Sequence, residues 1–184
     1  MRSRPPCLLH QPPAIAEESS VIHFLTGDIL LSQSRAIAHG VAPADHFDSG
    51  LALALRERWP AMVKDFRHHC QQSHPKPGTI WTWAGADGVR IVNLLTQEPA
   101  PAHHARPGKA SLTHVNHALR DLARFVEAEK VASLALPRLA TGVGGLDWND
   151  VRPLIEKHLG AFTIPVCVYE TYKPGVAAQE PETG

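Results

Sequence analysis

The 184-residue sequence predicts an α/β fold, a mixed sheet of about six strands covered by helices on both faces. Three observations carry the prediction. Short β-branched or aromatic runs alternate along the chain with segments of helical period. One pair of runs is joined by a tight turn. One run, SLALP, is apolar after its first residue, the mark of a central parallel strand.

The elements follow in order. Residues 21–25 (VIHFL) and 36–41 (AIAHGV) are the first two strands. Residues 50–59 (GLALALRERW) are helical, with Leu51, Leu55 and Trp59 at i, i+4 and i+8. Pro60 suits a first helical turn, so a second helix runs to about Gln72, and PKPG then stops it. Residues 79–84 (TIWTWA) and 89–95 (VRIVNLL) flank the turn ADG as a hairpin. Residues 110–128 form a long helix whose apolar stripe is Leu112, Val115, Leu119, Leu122 and Val126. Residues 133–137 give the central strand, 151–159 a further helix, and 163–169 (TIPVCVY) the last strand. The first 20 residues read as a flexible N-terminal arm, and residues 174–184 (PGVAAQEPETG) as a flexible C-terminal tail.

Composition limits the function. Lys plus Arg equals Asp plus Glu, at 18 each, so no global basic field exists to hold nucleic acid, which disfavours it as a partner. The N-terminal stretch carries four prolines and no long apolar run, so neither a signal peptide nor a membrane span is expected. Three cysteines without metal-like spacing suit reduced thiols in a cytoplasm, and the twelve histidines form no metal-binding motif. No metal and no cofactor is expected, and the chain is expected to be a monomer.

In sheets of this kind ligands sit outside the carboxyl ends of the strands. Two loops fall there, residues 42–50 and 140–145. In the second, Gly142, Gly144 and Gly145 tolerate positive φ, so successive N–H groups can form an anion nest. Thr141 adds a hydroxyl, and Asp147 suits the cap of the next helix. A turn that merely needs flexibility explains the glycines equally well. The first loop shifts the balance, because Ser49 and Gly50 stand at a helix start, a second anion site. Two such sites on one crevice suit a diphosphate. In TGDIL, Asp28 follows a tight turn and could accept from an exocyclic amine or bond its own backbone. Tyr169, at the end of the last strand, could stack on a base or simply pack.

Taken in order, TGDIL, AHGV with FDSGLALAL, NLLTQ, LPRLATGVGGLDW and PVCVYE resemble the macrodomain family over residues 21–172. The branch is that of terminal ADP-ribose glycohydrolase and DarG-type macrodomains, including actinobacterial members. ALALRERWPAMVKDF is also similar to the yeast phosphatase of ADP-ribose 1″-phosphate. The resemblance implies a three-layer α/β/α sandwich over residues 21–173 that binds ADP-ribose and ADP-ribosylated proteins. It implies that Asp28 reads the adenine amine, Ile29 lines that pocket and Tyr169 flanks the base. Ser49, Gly50 and Leu51 would hold one phosphate. Thr141, Gly142, Val143 and Gly144 would hold the diphosphate and distal ribose, which Thr96 and Gln97 would also bond.

The sequence departs from the family at the chemistry. Members with a covalent mechanism present lysine where this chain has Gln97, and glutamine cannot form a Schiff base. Gly144 stands where the glycohydrolase branch has aspartate, and Asp48 stands where relatives have glycine. Asp48 either orients a water at the anomeric carbon or caps the helix near Gly50. His39 is either a proton shuttle or a structural strand-end residue. The expectation is a hydrolase that removes ADP-ribose from acidic-residue esters by lysine-independent, substrate-assisted water attack, with His39, Asp48 and Gln97 at the reacting end. Its rivals are a non-catalytic ADP-ribose reader and an ADP-ribose 1″-phosphate phosphatase.

Overall fold

A computed structural model describes residues 22–182. The expected N-terminal arm, 1–20, and Cys7 lie outside them. The elements are β1 (Ile22–Gly27), β2 (Ala36–Val41), α1 (Gly50–Arg58), α2 (Pro60–Ser73), β3 (Ile80–Ala84), β4 (Arg90–Leu95), α3 (Leu112–Ala128), β5 (Leu134–Pro137), α4 (Trp148–Leu159) and β6 (Val166–Tyr172). The strands form one mixed sheet in the order β1-β6-β5-β2-β4-β3. All pairings are parallel except the β3–β4 hairpin. β5 lies inside the sheet, parallel to both neighbours, as its uninterrupted apolar run requires.

Strand alternation sorts the core into two layers. Ala36, Ala38, Val92, Leu94, Leu134, Leu136, Val166 and Val168 face α3 and α4, where they meet Leu119, Leu122, Ile155 and Leu159. Ile37, Val41, Ile91, Leu95, Ala135 and Cys167 face the other way, onto Leu55, Met62, Val63 and Phe66 of α1 and α2. The molecule is therefore a three-layer α/β/α sandwich. α3 begins where Ser111 accepts from the His114 N–H, and α4 where Asp147 accepts from Asn149. Cys70 and Cys167 form no disulfide among the described residues and are buried, and burial raises both thiols, Cys167 to about 12.

Two expectations need correction. β6 starts later than residue 163, because Pro165 has no N–H to donate to a ladder, and runs past residue 169 because Thr171 and Tyr172 pair with Thr26 and Gly27 of β1. The segment after β6 is not a free tail through residue 182. Its backbone is tied to the end of β1, with Lys173 N–H donating to the Gly27 carbonyl (3.0 Å) and Asp28 N–H to Val176 (2.7 Å).

Candidate functional site

The carboxyl ends of β2 and β5, neighbours at the middle of the sheet, open into a cavity of about 680 Å³, within the range of small-molecule sites. Both loops singled out in the sequence line it.

The first loop is held open by its own side chains. The Asp45 carboxylate accepts from Ala42 N–H (3.0 Å) and Phe47 N–H (2.8 Å). The His46 carbonyl accepts from Arg56 (3.1 Å) and Arg67 (3.4 Å). Phe47 has φ 57° and is fully buried, edge-on to Phe66, so its ring fixes the loop to the core. This anchoring delivers the start of α1 to the cavity. Ser49 is its N-cap residue but makes no side-chain cap bond. The N–H groups of Gly50, Leu51 and Ala52 have no protein acceptor among the described residues, and all three residues line the cavity. A helix start in this state attracts anions.

The second loop presents a matching row. The N–H groups of Thr141, Gly142, Val143 and Gly144 have no protein acceptor among the described residues, and the last three residues line the cavity. The loop is closed behind them by Leu146 N–H to the Ala140 carbonyl (3.0 Å) and Gly145 N–H to Gly142 (3.1 Å). Left-handed backbone falls at Ala140 (φ 59°) and Gly145 (φ 74°), and not at Gly142 or Gly144. Gly144 is required by space, since a Cβ there would stand 2.6 Å from the Ala140 carbonyl oxygen. Thr141 differs from expectation. Its hydroxyl donates to the Arg138 carbonyl (3.0 Å), and the residue does not line the cavity. Arg138 and Arg106 also line the cavity and form no ion pair among the described residues, the Arg138 guanidinium lying over the Trp148 ring at 5.7 Å from its centroid. Sequence reading missed both. The signals were Arg106 in the basic cluster HHARPGK, between a strand end and a helix, and Arg138 in PRLATG at the end of the central strand.

The residues expected at the reacting end fare differently. His39 lines the cavity at 2% exposure, and its Nε2 lies 2.6 Å from Asn93 Oδ1, its register partner on β4. Asn93 Nδ2 faces the Trp81 carbonyl (3.4 Å), so Oδ1 is the acceptor and His39 carries its proton on Nε2. Burial lowers the His39 pKa to about 4, outweighing the Asn93 hydrogen bond and the Asp45 charge. It is a neutral hydrogen-bonding group, not a shuttle poised near neutrality. Asp48 lines the cavity mouth but neither caps α1 nor stands free, because its carboxylate pairs with Arg56 at 2.7 Å and is 70% exposed. Gln97 lines the cavity, its amide donating to the Gly108 carbonyl (3.0 Å). Thr96 is fully buried and does not line the cavity. Its Oγ1 has no partner among the described residues and points at Gly40, where a Cβ would come within 2.8 Å.

The base end differs most. Asp28, Ile29 and Tyr169 are 7%, 2% and 5% exposed, and none lines the cavity. The Asp28 carboxylate accepts from Leu30 N–H (3.0 Å), capping a short 3-10 turn, and from Gly175 N–H (2.9 Å). The Tyr169 hydroxyl donates to Glu180 (2.7 Å). Burial and the Glu180 carboxylate both raise the Tyr169 pKa above the usual phenol value.

Among the described residues no group of His, Cys, Asp and Glu is arranged to hold a metal ion, and no helix is long and apolar enough to cross a membrane. Comparison with known proteins gives three findings. The sequence model of the Macro domain family matches residues 34–155. The chain is 30% identical over 134 residues to a protein of Mycobacterium tuberculosis named DNA ADP-ribosyl glycohydrolase, covering 71% of this chain and 36% of that protein. It is thus similar to about a third of that relative's length. Among solved structures it is similar to the macrodomain of Thermus aquaticus DarG, with TM-score 0.71 and 27% identity over 81% of this chain and 97% of that one.

Proposed function

The chain belongs to the Macro domain family, and from that premise we propose that its cavity binds ADP-ribose and hydrolyses the bond between ADP-ribose and a protein carboxylate. The observation that carries this reading is the pair of facing amide rows. Gly50, Leu51 and Ala52 on one side and Gly142, Val143 and Gly144 on the other line one cavity, and their N–H groups have no protein acceptor among the described residues. A diphosphate fits between them, because each phosphate finds fixed donors that need no reorganisation. Arg106 and Arg138 add charge. The distal ribose then lies against Gly40 and His39 at the end of β2 and Gln97 just past the end of β4.

Among the described residues no lysine lines the cavity, so a covalent imine has no partner among them. The reaction we assign needs none. A water held beside the diphosphate attacks the anomeric carbon of the distal ribose. The bond from that carbon to the ester oxygen breaks, and its electron pair leaves on the carboxylate. The attacking water passes a proton to a phosphate oxygen and then to solvent. A carboxylate leaves without acid assistance, which suits a site whose buried histidine is neutral. The protein contributes by position and by amide donors rather than by a nucleophile.

The decisive assay offers the chain a glutamate-ADP-ribosylated protein, an ADP-ribosylated DNA oligonucleotide and ADP-ribose 1″-phosphate in parallel. Release of free ADP-ribose from the protein alone supports the proposal. Release from DNA moves the carrier to nucleic acid, and phosphate release from the third compound makes the chain a phosphatase. Binding of ADP-ribose with no turnover of any substrate makes it a reader, a reading favoured by the hold that Gly108 keeps on Gln97.

A further inference from the structure

The cavity ends short of the residues that the family resemblance assigns to the base, and the chain itself covers them. β6 ends at Tyr172, and residues 173–182 fold back across the end of β1. Gly175 N–H donates to the Asp28 carboxylate, and Asp28 N–H donates to the Val176 carbonyl. Ala178 packs against the core layer that contains Tyr169. Glu180 then accepts three hydrogen bonds at once, from Ser32 Oγ, from Gln33 N–H (2.8 Å) and from the Tyr169 hydroxyl (2.7 Å). The approach is close enough to need glycine beneath it. A Cβ on Gly27 would lie 2.9 Å from Ala178 Cβ and from the Val176 carbonyl oxygen.

We propose that residues 174–182 are a latch, fastened by Glu180, that closes the base end of the site and must open before an adenine nucleotide seats fully. The inference rests on the ADP-ribose reading above. The diphosphate rows and the ribose end stay open while the latch is shut, so a phosphorylated ribose binds without disturbing it. An adenine ring that uses Asp28 or the face of Tyr169 has to displace Gly175, Ala178 and Glu180. Apparent affinity for ADP-ribose is then the intrinsic affinity reduced by the fraction of molecules with the latch open.

The test uses the full chain and its Glu180→Ala and Glu180→Gln variants, with ADP-ribose and ribose 5-phosphate as calorimetric probes. Glu180→Ala is expected to tighten ADP-ribose about three- to tenfold, the gain available if the latch is open in roughly a tenth to a third of molecules. Ribose 5-phosphate should bind all three proteins alike, and Glu180→Gln should fall between the other two. Amide exchange of the wild type gives a readout that needs no variant. Saturation with ADP-ribose should speed exchange at Gly175 and Val176. Unchanged or weaker ADP-ribose binding in a folded Glu180→Ala protein, or slower exchange of the segment with ligand, would overturn the latch and make the segment a fixed wall. Failure of the wild type and both variants to bind either probe would remove the ADP-ribose reading as well, so the two failures are distinguishable.

Discussion

Gly142→Glu tests the amide rows directly. Gly142 lines the cavity, its backbone is not left-handed, and no atom lies within 4 Å of where its Cβ would stand. A side chain there enters open space, so the fold should tolerate it, with unfolding free energy changed by less than about 1 kcal/mol. The new carboxylate would stand beside the unengaged N–H groups of Gly142 and Val143, where a phosphate is expected. Like charges about 4 Å apart repel by roughly 1 kcal/mol in water and about 4 kcal/mol at the effective dielectric of a protein surface. ADP-ribose affinity should therefore fall between about fivefold and a thousandfold. Gly142→Gln has the same length without the charge, so it separates repulsion from bulk and should lose much less. The assay is calorimetry with ADP-ribose, with thermal melts of each variant. Wild-type affinity in a folded Gly142→Glu protein would refute the assignment of the second loop to the diphosphate.

Other outcomes follow from the same geometry. Phe47→Ala removes a fully buried ring that fixes the first loop and should cost about 3–5 kcal/mol in denaturant unfolding. Gly40→Ala puts a Cβ against the buried Thr96 hydroxyl and should cost about 1–3 kcal/mol, part of it recovered by adding Thr96→Ala, as a double-mutant cycle would show. His39 takes up a proton near pH 6.5 when unfolded and only near pH 4 when folded. The unfolded chain thus binds more protons between those values, and stability should fall by about 3 kcal/mol as pH drops through that window. Urea midpoints at pH 7 and pH 5 should show this slope in the wild type, and a smaller one in His39→Gln. Gln97→Ala should keep kcat on a glutamate-linked substrate within about tenfold of wild type, because no step is routed through a residue at that position.

The fold was legible because each element carried its own period. α3 kept its stripe from Val115 to Val126, while Leu112 in its first turn is exposed, and the strands declared themselves by β-branched runs or, in β5, by having no polar residue. The two loops that line the cavity were legible because both carry glycine, one beside a strand end and one at a helix start. The chemistry of the reacting end was not. The His39 pKa depends on burial beneath Phe47 and on Asn93, fifty-four residues away, and no local pattern encodes either. Asp48 could not be assigned because its partner, Arg56, lies two turns along α1, where it reads as an ordinary solvent-facing charge. The C-terminal segment misled for a similar reason. Pro174, Gly175 and the small residues after them look like a free end, while the groups that hold them, on Asp28, Ser32 and Tyr169, come from two other parts of the chain.

The strand order bears on how the molecule is made. Among the described residues β1 has one neighbour, and it is β6, the last of the six strands to leave the ribosome. Until residue 172 has been synthesised, the first strand has nowhere to pair, and β5 lacks one of its two flanks. Completion of the sheet is thus a late, long-range event, the kind of closure that slows folding and leaves a bare edge on the growing chain. A nascent molecule that stalls anywhere before β6 carries both cavity loops and yet holds neither in a finished frame.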